Sequence, residues 1–185
     1  MHPAIVKARA TCAYDGWIAK AVQAFKYDRE RDRAGFLAEQ MVAALEDLES
    51  VDVIIPVPLH PKRLEWRGFN QAELLANHLG ESVSAGVENG LQRVRDTHSQ
   101  TQISRDDRLE NMRGAFAVNP NWTINKKAHY VLLDDVYTTG ATLGACAEAL
   151  DAAGAHGISV VTLAFDLQKR DLEVYRDRVK AASNK

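Results

Sequence analysis

The sequence predicts an α/β fold: a parallel twisted sheet with helices on both faces, joined by a small N-terminal helical portion. Three observations point to it. The segments 51–58, 129–134 and 158–165 are continuous apolar runs rich in β-branched residues, as expected for parallel strands buried on both faces. The segments between them carry apolar residues at helical spacing. Strands also occur singly and alternate with helices, which argues a right-handed βαβ series.

The elements follow in order. Ile18, Ala21, Val22 and Phe25 fall on one helix face and predict a helix over 16–26, and Leu37, Met41, Leu45 and Leu48 predict a second over 34–49. The mixed charge run 26–33 between them reads as a solvated connection. Val51 to Pro58 is the first strong strand. Phe69, Ala72, Ala76 and Leu79 predict a helix over 69–79, and a short strand is expected around Val87. Residues 93–113 are polar, with Arg93, Arg95, Arg105, Arg108 and Arg113, and a long insertion of this kind in a compact domain usually serves function or is disordered. Ala115 to Val118 is a short strand. The second strong strand starts at His129 and precedes a helix striped by Thr142, Cys146, Ala149, Leu150 and Ala153, with Gly154 at its C-cap. Ile158 to Phe165 is the third, and the charged tail 166–185 is expected to end in a loose helix.

Composition narrows the function classes. The chain has 185 residues, 46% hydrophobic and 26% charged, with a formal net charge of -2, so it has no global basic field to hold duplex DNA or an anionic membrane. Only Cys12 and Cys146 occur, so neither a disulfide framework nor an all-cysteine zinc site is expected, and Cys146 reads as a small buried apolar residue. No apolar run is long enough to span a membrane, and the N-terminal residues lack a signal-peptide core, so the expected location is cytoplasmic. Trp17, Trp66 and Trp122 read as core or rim packing.

The chemistry concentrates at 131–143. An apolar strand runs into Asp134 and Asp135, and adjacent strand residues point to opposite faces, so one acid would enter the core if the strand continued. An unpartnered buried carboxylate is costly, so the strand is expected to stop there, at the C-terminal sheet edge where open α/β sheets bind ligands. Tyr137, Thr138, Thr139, Gly140, Ala141 and Thr142 then open a helix whose free N–H groups and positive dipole end suit an anion. Acids for a polyol beside amides for a phosphate describe a sugar-phosphate site.

The 131–143 segment resembles throughout the PRPP-binding signature of the type I phosphoribosyltransferases. Residues 55–63 and 67–72, together with Arg93, Thr97, Gln100, Arg105, Arg108, Asn111 and 114–116, are similar to the ComF family, which includes GntX-type proteins. Tyr14-Asp15-Gly16 and Phe25-Lys26-Tyr27 fit the same family's opening, so the resemblance covers about 14–166. It implies residues 1–50 as a helical portion packed on the core and 51–185 as a phosphoribosyltransferase-like domain. The four-cysteine zinc module of many ComF-type proteins is not in this chain.

The resemblance also implies roles. Asp134 and Asp135 would grip the ribose hydroxyls and hold Mg²⁺ indirectly, and residues 137–142 would cradle the 5′-phosphate. Leu59, His60, Lys62 and Arg63 occupy the position that binds pyrophosphate, where Lys62 and Arg63 suit a polyanion. Residues 93–113 match the catalytic loop that closes over substrate, with Arg95 and Arg105 as catalytic candidates. The implied activity is transfer of a 5-phosphoribosyl group from PRPP to a nitrogenous base, with Mg²⁺ and release of pyrophosphate, in nucleotide salvage. Two alternatives stay open: a non-catalytic PRPP- or nucleotide-binding regulator, and an accessory protein of competence that contacts single-stranded DNA or the DNA-uptake machinery through the arginine-rich loop. No membrane partner is expected. The acceptor base and any homo-oligomer are left open.

Overall fold

The computed structural model describes residues 2–27, 31–97 and 110–166. Its elements are β1 (Ile5–Ala13), α1 (Gly16–Tyr27), α2 (Arg33–Glu39), α3 (Val42–Glu46), β2 (Val53–Pro56), α4 (Pro61–Arg67), α5 (Gln71–Val83), β3 (Gly86–Val87), β4 (Leu91–Arg93), β5 (Phe116–Val118), β6 (His129–Tyr137), α6 (Ala141–Ala152) and β7 (Gly157–Phe165). Five strands form one sheet in the order β1-β7-β6-β2-β3, with every pairing parallel. The predicted α/β class is the observed one.

Alternation along the strands assigns the two faces. Ile54, Val131, Leu133, Val161 and Leu163 point into a core shared with Ile18, Val22 and Phe25 of α1, Leu37 of α2, Leu45 of α3 and Leu75 and Leu79 of α5. Ile55, Tyr130, Leu132, Ile158 and Val160 point the other way, against Leu143, Cys146, Ala147 and Leu150 of α6. Cys146 is buried in that second cluster, as its sequence context suggests. The antiparallel pair β4–β5 lies on the same side, with Leu91 and Phe116 in the α6 cluster, and brackets the 94–115 connection. Trp122 packs edge-on to Tyr130, whereas Trp17 and Trp66 are exposed and not core residues.

Several elements depart from expectation. The 1–50 portion is not wholly helical: residues 5–13 form β1, an edge strand of the main sheet paired to β7. Its outward Lys7 and Arg9 pair with Asp47, and charges on an edge strand discourage further strand addition. The helix expected over 34–49 is two helices, because Met41 N–H bonds back to the Ala38 carbonyl at 2.8 Å and closes a tight turn that buries the Met41 side chain. Residues 61–67, for which no helix was expected, form α4, started by Pro61 at the first helical position and ended by Gly68 at φ 81°. Leu91 to Arg93 is also a strand. His98, Arg105, Arg108 and the helix expected at the end of the tail lie outside the described residues. No described helix is long and apolar enough to cross a membrane.

Candidate functional site

The C-terminal ends of β2 and β6 bring together most of the residues singled out in the sequence. Strand β6 does not stop at the acids. It continues through Asp134 and Asp135 to Tyr137, with Asp134 opposite Thr162 and Tyr137 opposite Phe165 of β7. The expectation of a break rested on the cost of a buried carboxylate without partners, and the structure supplies a partner. Lys26, in the last turn of α1, places its ammonium 2.9 Å from Asp135 Oδ2, and the Asp135 side chain is only 9% exposed. Burial pulls the Lys26 ammonium down. The charges of Asp135 and Asp134, with Tyr14, more than offset this and hold its pKa above the ordinary value.

Asp134 faces the α6 side. Burial, and then the charge of Asp135, push its carboxyl up to about 7, against the opposing pull of Lys26, a hydrogen bond from the Asp135 N–H and Arg93. Arg93, at the end of β4, is 9% exposed, packs its guanidinium 5.5 Å from the Phe116 ring centre and donates to Thr97 Oγ1. Its Nε is buried without a partner. Burial and the neighbouring Arg63 lower its pKa, while Cys146, Asp96 and Asp134 act the other way. Arg93 thus lies within electrostatic reach of both Arg63 and Asp134.

The segment after β2 supplies Arg63. His60 is extended, Leu59 precedes it outside any helix or strand, and Lys62 and Arg63 sit in the first turn of α4, where the His60 ring accepts the Lys62 N–H at 3.4 Å. Asp96 bridges this turn to the start of the 94–115 connection, 3.7 Å from Lys62 Nζ and 3.8 Å from His60 Nδ1. Asn70 fixes the same edge: its amide donates to the Val57 carbonyl at 3.0 Å while its oxygen caps α5.

The turn after β6 is the third wall. Gly140 heads α6 in the left-handed region, φ 75°, with no side-chain cap on the helix. Thr139 Oγ1 lies 3.4 Å from the Ala141 N–H. Thr138 is exposed; Tyr137, Thr139 and Thr142 are half-buried and Ala141 is buried. The helix has 12 residues, and its first-turn N–H groups are those that the sequence reading offered to an anion.

Of the sequence candidates, Asp134, Asp135, His60, Lys62 and Arg63 gather at the β2 and β6 ends, and residues 137–142 run from the last residue of β6 through the turn into α6. Arg95 does not join them: its guanidinium donates to the Arg113 carbonyl at 2.6 Å, at the base of the 94–115 connection. Arg105 lies outside the described residues. Lys26 escaped the sequence reading as part of a solvated charge run, although Ile18, Val22 and Lys26 lie at i, i+4 and i+8 and so on one helix face. Arg93 was one of five loop arginines, and sequence alone did not separate it from the others.

The residues do not fit a Mg²⁺ held directly by the acid pair. Mg²⁺ usually takes one or two carboxylates and keeps its waters, but a cation on Asp135 would stand beside the Lys26 ammonium, 2.9 Å from Oδ2, and be repelled by it.

No family model matches the chain. It is 33% identical over 150 residues to Competence protein F of Haemophilus influenzae, covering 77% of this chain and 66% of that protein. It is 31% identical over 146 residues to the DNA utilization protein YhgH of Salmonella typhimurium, covering 75% and 63%. It is 30% identical over 163 residues to Competence protein ComFC of Streptococcus pneumoniae, covering 85% and 68%. The chain thus spans about two thirds of these relatives' length. Among solved structures, the glutamine PRPP amidotransferase of B. subtilis superposes with a TM-score of 0.48 at 22% identity, over 71% of this chain and 26% of that one. An adenine phosphoribosyl transferase of Trypanosoma brucei gives 0.45 at 12% identity, over 77% and 68%. Likeness at this level adds nothing to the strand order. The curated relatives decide the family, and the chain belongs to the ComF family.

Proposed function

We propose that this chain binds PRPP at the C-terminal edge of its sheet and transfers the 5-phosphoribosyl group to a nitrogenous base. The observation behind this reading is the continuity of β6 and α6: a strand with two acids near its C-terminal end leads, through Thr138 and Thr139, into a left-handed glycine at a helix N-terminus. In this reading the N–H groups of 140–142 take the 5′-phosphate, and Asp134 and Asp135 accept from the ribose hydroxyls. Arg63 and Arg93, with Lys62, receive the diphosphate. As the glycosidic bond breaks, positive charge grows at the anomeric carbon and negative charge on the departing pyrophosphate. The carboxylates face the first and the guanidiniums the second, so the site is prearranged for charge separation.

A second reading is favoured by the relatives' names, competence protein and DNA utilization protein. Here the same fold binds PRPP or a nucleotide without turnover and serves DNA uptake. Pyrophosphate release from PRPP, measured with and without each of a panel of bases, separates the two. Base-dependent release supports the transferase, and PRPP binding without release, joined to salt-sensitive binding of single-stranded DNA, supports the second. No PRPP binding at all defeats both.

A further inference from the structure

We infer that Lys26 is the resident cation of the ribose end of the site, so that the acid pair binds a 5-phosphoribosyl ligand with no divalent metal between carboxylates and hydroxyls. This rests on the sugar-phosphate reading above and names how that site is charged.

The ammonium is built in. Phe25, next to Lys26, is fully buried, and its carbonyl accepts from Gln71 Nε2 at 3.5 Å, so the end of α1 is tied to α5. The Lys26 side chain is itself mostly covered, 23% exposed, and lies in the last turn of its helix, where a cation is favoured. It cannot leave cheaply, because departure would strand Asp135 in the core without a counter-charge. A divalent ion on Asp135 would stand beside that ammonium and be repelled by it.

The chemistry at the acids is then complete. An ammonium has three donors, and one is used on Asp135 at 2.9 Å. Those remaining can donate to a hydroxyl oxygen of the ribose, while the carboxylates accept hydrogen bonds from the hydroxyls. A vicinal diol is matched in both senses by one lysine and two acids. Lys26 offsets the charge of Asp135, and Arg93 lies near Asp134 as a further cation.

Ribose 5-phosphate, which has the diol and the 5′-phosphate but no diphosphate, isolates the question. Calorimetry on the wild-type chain in EDTA and in excess Mg²⁺ should give affinities within about twofold of each other, and no variant is needed for this arm. Lys26→Met should bind at least about tenfold more weakly in EDTA, and Lys26→Arg should keep most of the affinity. Manganese added to the wild-type complex should leave the amide signals of Asp134 and Asp135 unbroadened. Wild-type binding that weakens about tenfold in EDTA overturns the inference and leaves the sugar-phosphate reading intact. So does a folded Lys26→Met chain that binds like the wild type in EDTA. Ribose 5-phosphate that binds in neither buffer overturns both.

Discussion

The hydroxyl of Tyr137 stands 2.5 Å from the point a Cβ on Gly140 would occupy, and the ring carbons follow at 2.9 and 3.0 Å. The last residue of β6 thus closes over the turn that heads α6. Gly140 also sits at φ 75°, where a side chain is strained even in open space. Gly140→Ala should lower stability by about 1–3 kcal/mol in urea denaturation and weaken ribose 5-phosphate binding. An unchanged unfolding midpoint would count against the strained turn. Adding Tyr137→Ala should restore part of the loss, because it removes the collision and leaves the backbone strain.

The Asp134 carboxyl, raised to about 7, makes stability depend on pH. An acid whose pKa is raised by folding contributes most below its unfolded pKa, and that contribution is lost as pH rises through the folded one. Between about pH 4 and pH 7 the native chain should therefore lose stability through this group, with no further loss above. Asp134→Asn should flatten this part of the profile and be more stable than wild type at pH 8. Parallel denaturation curves across that range are the check, and an unchanged slope would remove Asp134 as the cause.

Arg93 and Arg95 should behave differently. Arg93 lies near Asp134 and Arg63, whereas Arg95 is spent on the Arg113 carbonyl. Arg93→Met should weaken PRPP binding by at least about tenfold, and Arg95→Met by much less. Equal losses in calorimetry would place both arginines in the site.

The Asp96 carboxylate lies 3.7 Å from Lys62 Nζ and 3.8 Å from His60 Nδ1. The Lys62 side chain is 78% exposed, so this contact contributes little to folding. Asp96→Asn should shift stability by less than about 0.5 kcal/mol yet tighten inorganic pyrophosphate binding, because an anion no longer competes with a carboxylate. Weaker pyrophosphate binding in the variant would instead make Asp96 part of the ligand's own cradle.

Long-range pairing separates what the sequence revealed from what it hid. Strands β2, β6 and β7 were legible because burial on both faces imposes continuous apolar runs, and α1 and α5 because each has a single buried stripe. Strand β1 was hidden: its residues are rich in alanine and carry Lys7 and Arg9, since an edge strand has one neighbour and an open side. The acids, the Gly140 turn and the basic segment at 59–63 could be read because local sequence specifies them. The continuation of β6 could not, since it depends on Lys26, a residue remote in sequence that α1 delivers to the same edge.

The pairing of β1 with β7 has a mechanical consequence. The first and last described strands lie side by side and run the same way, with Ile5 beside Ile158 and Ala13 beside Phe165. Tension that draws the start of β1 away from the end of β7 therefore slides the two strands past each other and loads their hydrogen bonds together, instead of peeling them one at a time. The Tyr14 N–H bond to the Phe165 carbonyl, 2.8 Å, continues that clamp to the threshold of α1. The helix that carries Lys26 is thus slung from the part of the sheet best placed to resist pulling.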